Sequence, residues 1–511
     1  MAKSIIIIGA GMGGMAAGIY GQINGFQTRI FEMHNLPGGQ CASWERKGYT
    51  FDACIHHLFG CSPDSKIHEL WSELGAMPRE LAYTKECVSV ISPEGKLFFD
   101  YYDPERLREH LNHLAPKDSK VIQDYIEGIK LFEKVDIMGE LMLGGVSGVV
   151  KHLPTAIKAL KWFKPTMADF ARRFSDPFLR EAFPLLEYSL PDCPFAIHLA
   201  KHAAGHKKDI AWPVGASKAF SRSIAEYYES LGGKIHYNSR VTKIITKNGR
   251  ALGVKLEDGT EEYADIIISN ADGRKTLLNL LEGQFMNEKL IKYCGEAIDE
   301  TNWAVHVFLG VDMDLSEEPS SLVMLLDEPV RIAGHETKSL EMQTYSFDRT
   351  MAPEGKGVIK VELVSRYSYW KELARDKTRY EEEKEKVAEQ VIGLLPGIKG
   401  RIEAVDVPTL VTWERFMGGT HGFANMPKKE SDFLGSLYKN EGMTVPGLEN
   451  FYFAGTWATS AGALFVNALS GKKAIKKICR NEGRKFASSL FFSESGRPRG
   501  KLLLAEKNNP Y

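Results

Sequence analysis

The chain has 511 residues, 43% hydrophobic and 26% charged, with a formal net charge of −1. That length holds two or three domains, or one nucleotide-binding domain with a large insert; the near-neutral charge gives no support to a general nucleic-acid role, and no apolar run is long enough to span a bilayer. Seven cysteines, none in a CxxC pair, and an apolar start too short for a secretory signal point to a reducing, cytoplasmic setting rather than a disulfide framework.

The chain opens with Ile5–Ile8, a β-branched run expected of a strand buried on both faces of a parallel sheet. Gly9, Gly11 and Gly14 follow as GxGxxG. The first glycine permits a tight turn, the second lets the backbone approach a pyrophosphate, and the third lets the next helix pack against the strand. A helix is predicted over 13–24, from Gly13 to the break at Gly25, with its N-terminus suited to phosphate. A second strand, Gln27–Phe31, ends at Glu32. An acid there accepts hydrogen bonds from ribose hydroxyls and disfavours a 2′-phosphate, which fits FAD or NAD and not NADP. A second glycine turn, Gly38-Gly39, precedes Ser43.

Further along, 143–165 carries Val149, Leu153, Ile157, Leu160 and Phe163 on one helical face. Lys151, Lys158, Lys161 and Lys164 lie on the other, with Trp162 at the basic edge. Such a stretch is either an interfacial helix on an anionic membrane or a cap whose apolar side is buried. A helix is predicted over Ser217–Leu231 and a strand over Lys234–Tyr237. A hairpin is expected at Asp258-Gly259, and a buried strand, Ala264–Ile268, runs into Ser269-Asn270-Ala271-Asp272, where Asp272 suits an N-cap. Residues 378–395 read as a charged outer helix. Finally, Phe451–Ala454 reads as a strand, Gly455 as its turn, and Gly462 onward as a helix.

Several of these segments together resemble the phytoene desaturase, carotenoid isomerase and retinol saturase branch of the amine-oxidase-type flavoproteins. They are "LPGGQCAS" (36–43), "GYTFDACIHHLFG" (48–60), "AWPVGASKAFSRSIAEYYESLGGKIHYNSRVTKI" (211–244), the strand-to-"SNAD" junction, and "PGLENFYFAGTWATSAGALFVNALSGKKAIKKI" (446–478). The resemblance implies an α/β fold, with a discontinuous Rossmann-like FAD domain over 1–75, 206–305 and 440–511. A mixed α+β substrate domain is then inserted over 76–205 and 306–439. It implies that Gly38, Gly39 and Ser43 pass the flavin's phosphate and ribityl side, that Val241 meets the adenine, and that Asn270 sits at a family junction. It also implies that Gly455, Thr456 and Gly462 lay amides against the flavin. Thr456 stands where many relatives carry an acid, and Ala461 and Ala463 where glycine is common.

A flavin of this family acts on carbon–carbon bonds of a long lipophilic substrate by desaturation, saturation or isomerisation, which implies a deep apolar tunnel between the domains. Candidate acid–base groups are His57, His421 and Glu414; no metal-ligand set is evident. No second GxGxxG stands in strand–helix context, and nothing selects among NAD(P)H, a quinone or oxygen as external redox partner. Two other readings are an amine oxidase, which needs an aromatic cage by the flavin, and a non-catalytic prenyl-lipid carrier of the GDP-dissociation-inhibitor type, against which the intact glycine motif with Glu32 speaks.

Overall fold

The computed structural model describes residues 2–136, 139–140, 143, 152–295, 301–395, 397–419, 444–459 and 463–489. One sheet organises the nucleotide-binding unit. Its strands are β1 (Ser4–Ile8), β2 (Gln27–Phe31), β3 (Lys234–His236), β4 (Ile266–Ser269) and β5 (Phe451–Phe453), ordered β3–β2–β1–β4–β5 and all parallel. Ile7 is flanked by Ile30 and Ile268, and Ile5, Ile6 and Ile7 are wholly buried, as a central strand covered on both faces requires.

Helix α1 (Met12–Ile23) crosses from β1 towards β2, α2 (Ala216–Ser230) precedes β3, and α3 (Leu464–Asn481) follows β5. The close approach of α3 to α1 explains the small pair Ser470-Gly471: a Cβ on Gly471 would stand 2.3 Å from the Gly13 carbonyl. The nucleotide-binding sheet is thus assembled from three distant stretches of chain.

A second, seven-stranded mixed sheet takes Glu86–Ile91 and Leu97–Tyr101 from the first insert, and Thr301–Val311, Ser321–Ile332, His335–Thr344, Gly357–Arg366 and Ile402–Asp406 from the second. The strand Thr301–Val311 begins ahead of the boundary expected at 305, so that boundary moves back. A helical layer covers one end of this sheet. Its core stacks Phe170 on Phe195 at 3.9 Å and buries Tyr125, Phe174 and Phe183. The hairpin expected at Asp258-Gly259 joins Arg250–Leu256 to Glu261–Tyr263, and Asp272 caps a short helix by accepting from the Lys275 N–H at 2.8 Å.

The basic stretch folds as helix Leu153–Ala159 and a single turn, Leu160–Trp162, while residues 144–151, with Val149 and Lys151, lie outside the described residues. Leu153, Ile157 and Leu160 are 47%, 59% and 64% exposed. Trp162 departs from its expected place at the basic edge. It is buried, with its ring 5.7 Å from that of Phe195 and the Lys161 ammonium 4.8 Å above it. The ring packs in this aromatic core, while its buried Nε1 makes no hydrogen bond.

Candidate functional site

The glycines after β1 converge with residues far along the chain. Gly9 holds φ +93° and donates its N–H to the Phe31 carbonyl at 2.9 Å, turning the chain between β1 and α1. A Cβ on Gly14 would stand 2.1 Å from the Gly9 carbonyl, and one on Gly13 would stand 2.5 Å from the Gly455 nitrogen. The Asn270 side chain fills the middle of this cradle, with its amide nitrogen 2.7 Å from where a Gly11 Cβ would be. Gly455, at φ +83°, is fixed by its N–H to Ser470 Oγ at 2.7 Å. Gly9, Gly11, Gly13, Gly14, Asn270 and Gly455 are therefore one joint.

Helix α1 starts at Gly11 with no side-chain cap and no acidic residue in its first turn. Its first N–H groups and positive dipole end suit a pyrophosphate, with the Asn270 amide beside them. Glu32, almost fully buried, accepts the Ala10 N–H at 2.7 Å through one oxygen and the His34 N–H at 2.9 Å through the other. Each oxygen keeps a lone pair for a ribose hydroxyl. Gly38 donates to the Ala10 carbonyl at 2.9 Å, and Gly39, at φ +59°, lies against Gly11. Glu32, Gly39 and Ser43 share the wall of a cleft of about 700 Å³, closed opposite by Trp413 and Phe416 of the second insert. That volume is of the size that ligands occupy. Ser239 donates its N–H to the Glu32 carbonyl at 2.8 Å and so brings the turn before Val241 beside the acid. The residues present fit a dinucleotide with its pyrophosphate at α1 and its ribose at Glu32.

Two members of the expected set are already engaged. Ser43 Oγ accepts the Lys218 N–H at 3.0 Å and so serves the start of α2, and Thr456 Oγ1 donates to Asn467 Oδ1 at 3.1 Å. Gly462 and His421 lie outside the described residues. The FD pair of the family-like segment has a structural task that the sequence reading did not assign: Asp52, wholly buried, accepts the Ser217 N–H in the first turn of α2.

Residues 12–474 match the flavin containing amine oxidoreductase family. The chain belongs to that family. This flavoprotein is an FAD-dependent oxidoreductase: the flavin supplies hydride or electron transfer, and the chain supplies binding and orientation. Among curated relatives, prolycopene isomerase 1 from an Oncidium hybrid cultivar is 27% identical over 455 residues, covering 83% of this chain and 75% of that one. The lycopene-forming phytoene desaturase of a Paracoccus strain is 28% identical over 335 residues, covering 63% and 64%. A putrescine oxidase variant shares the fold at a TM-score of 0.59 and 13% identity, covering 94% of this chain and 99% of that one.

The candidate acid–base residues of the flavoprotein separate in space. Glu414 receives Tyr367 Oη at 2.8 Å and Lys371 Nζ at 2.7 Å; these partners, with Lys371 half exposed, hold it below its ordinary range against the effect of burial. His57 instead sits where two water-sized cavities, about 30 and 20 Å³, meet between the mixed sheet and the helical layer. Burial first, then Lys201 and His56, push its imidazole well below its ordinary range, so it is neutral at neutral pH. His56 Nε2 lies 2.7 Å from Glu362, which also pairs with the buried Lys360 at 2.6 Å. Burial raises Glu341 to about 8, although Ser189 hydrogen-bonds to it. The described surroundings of His57 are thus charged and tightly packed. Alternation along Ser321–Ile332 and Gly357–Arg366 does not tell which polar side chains end inside, because their partners come from remote segments.

Proposed function

We propose that this flavoprotein desaturates, saturates or isomerises a carbon–carbon bond of a lipophilic, isoprenoid-like substrate gathered at a membrane surface. The substrate class is carried by one observation: similarity to enzymes named for prolycopene and phytoene extends over most of the chain. The exposed Leu153, Ile157 and Leu160 support the membrane part, because an apolar patch beside Lys158, Lys161 and Lys164 suits an anionic lipid surface. An uncharged polyene offers little for acid–base catalysis. The chain's contribution is then to seat FAD at Gly11 and Glu32, to orient the substrate, and to exclude water. Among the described residues, protonated Glu341 is able to give up a proton at the domain contact, and neutral His57 lines the same cavity.

The test is anaerobic incubation of the oxidised and the dithionite-reduced flavoprotein with a panel of polyenes, retinoids and prenyl alcohols, with a diamine as the contrasting class. The visible flavin band and product mass are read together. A redox change of the flavin or a new isomer with a polyene supports the reading. Flavin reduction by the diamine alone overturns it in favour of amine oxidation.

A further inference from the structure

Three elements of the helical core converge on ionisable groups that the flavin site does not use. Asp100 stands on strand Leu97–Tyr101, Tyr125 on helix Ser119–Phe132, and His198 and His202 one turn apart on helix Phe195–His206. All four residues are wholly buried. Asp100 Oδ1 lies 2.8 Å from His202 Nε2, and Asp100 Oδ2 lies 3.7 Å from His198 Nε2. One ligand-capable atom from each of the three lies within 4.8 Å of the others.

The surroundings are unbalanced in a particular way. Lys201 and Glu187, at 3.3 Å, neutralise each other. Asp100 is then a wholly buried carboxylate whose ion-pair partners among the described residues are histidines alone, a costly arrangement unless a cation joins it. Asp100 Oδ2 and His202 Nδ1 make no hydrogen bond. His198 is already oriented. Its Nδ1 is 2.8 Å from Glu187 Oε1, which turns Nε2 towards Asp100. This is the outer carboxylate–histidine arrangement that fixes metal-bound imidazoles. Tyr125 Oη is 2.5 Å from His198 Nε2 and 3.0 Å from Asp100 Oδ1. A contact of 2.5 Å needs a proton between the two atoms, so a metal at His198 Nε2 has to move the Tyr125 hydroxyl off that nitrogen.

We infer that Asp100, His198 and His202 bind one divalent metal ion of the zinc class, in a structural role, fastening the strand Leu97–Tyr101 to helix Phe195–His206. Two imidazoles and a carboxylate suit zinc among the divalent ions, and Tyr125 Oη or a water completes four-coordination. Bonds of about 2.0–2.2 Å to each ligand require the His202–Asp100 contact to open by a few tenths of an ångström, within reach of a side-chain rotation. The competing occupant is a proton, which would make one histidine an imidazolium.

Full-length, flavin-loaded protein from zinc-supplemented and cobalt-supplemented cultures is assayed for metal by plasma mass spectrometry, beside Asp100→Asn, His202→Gln, Glu187→Gln and His206→Ala. One ion per chain is expected, with the visible absorption of tetrahedral cobalt in the cobalt form. The first two variants should lose the ion, and Glu187→Gln should bind it about 10–100-fold more weakly. His206→Ala, on the same helix but half exposed, should keep it. Wild-type protein that carries no stoichiometric metal from either culture overturns the inference, as does metal retained by both Asp100→Asn and His202→Gln. If these two do not fold, wild-type stoichiometry and the cobalt spectrum decide alone.

Discussion

The carboxylate of Asp52 receives both groups of Ser217: the backbone N–H at 2.7 Å and the hydroxyl at 3.0 Å. It also takes the N–H groups of Cys54 and Ile55 at 2.9 and 3.0 Å, so one buried charge shapes the turn before His56 and starts α2. Asp52→Asn should lower stability by about 1.5–3 kcal/mol, the usual worth of a hydrogen bond to a charged group, and Asp52→Ala by more. Urea unfolding reads this directly, and an unchanged midpoint for Asp52→Ala would contradict the capping role.

Gly13→Ala places a methyl group 2.5 Å from the Gly455 nitrogen, where backbone rather than a flexible side chain must give way. The joint between α1 and the turn after β5 should open, and the purified protein should be colourless. Bound flavin per chain is the measurement. Gly232→Ala, a left-handed position with open space around it, is the control and should stay yellow.

Glu32→Ala removes the acceptors of two backbone N–H groups and the expected partners of the ribose. FAD affinity should fall by about 1.5–3 kcal/mol, measured by titrating the apoprotein. A dissociation constant equal to wild type would remove Glu32 from the site.

Glu341 gives a pH dependence of defined sign. Its ordinary value is 4.5 and its folded value about 8. Between these, the unfolded chain releases the proton and the folded chain keeps it. Stability from this group is therefore complete below pH 4.5 and is lost as pH rises through 8. Its slope approaches about 1.4 kcal/mol per pH unit. Glu341→Gln should flatten the fall in melting temperature over that window. If the variant and wild type decline in parallel from pH 5 to pH 9, Glu341 is not buried protonated.

Ile157→Ser with Leu160→Ser should weaken co-sedimentation with anionic liposomes more than Lys158→Ala does, because the apolar contribution is not screened by salt whereas each lysine adds about 1 kcal/mol that is. Trp162→Ser is a different experiment, since this residue is packed inside, and it should lower the unfolding temperature. Indifference of the intact protein to anionic liposomes at low salt would end the membrane proposal.

Local signals carried the nucleotide-binding unit. The isoleucine run, the glycines and Glu32 place β1, α1 and β2 within about a residue of their observed ends, because each boundary is set by the residues that form it. Long-range pairing was illegible. Nothing in Leu97–Tyr101 announces that Asp100 will meet a helix a hundred residues on, although the four-residue spacing of His198 and His202 marked one helical face that could have been noticed. The outward turn of Leu160 beside the inward Trp162 likewise depends on the aromatic core waiting beneath it.

The order β3–β2–β1–β4–β5 also sets a timetable for synthesis. Strand β1 leaves the ribosome well ahead of its neighbour β4, which ends at Ser269, and of the sheet's last strand, β5, which ends at Phe453. Until then the free edge of β4 is an unpaired row of backbone donors and acceptors, open to the wrong partner. The chain must therefore be made as far as Phe453 before this sheet is complete. Truncation ahead of Phe451 should yield a chain that depends on chaperones, rather than a smaller stable domain.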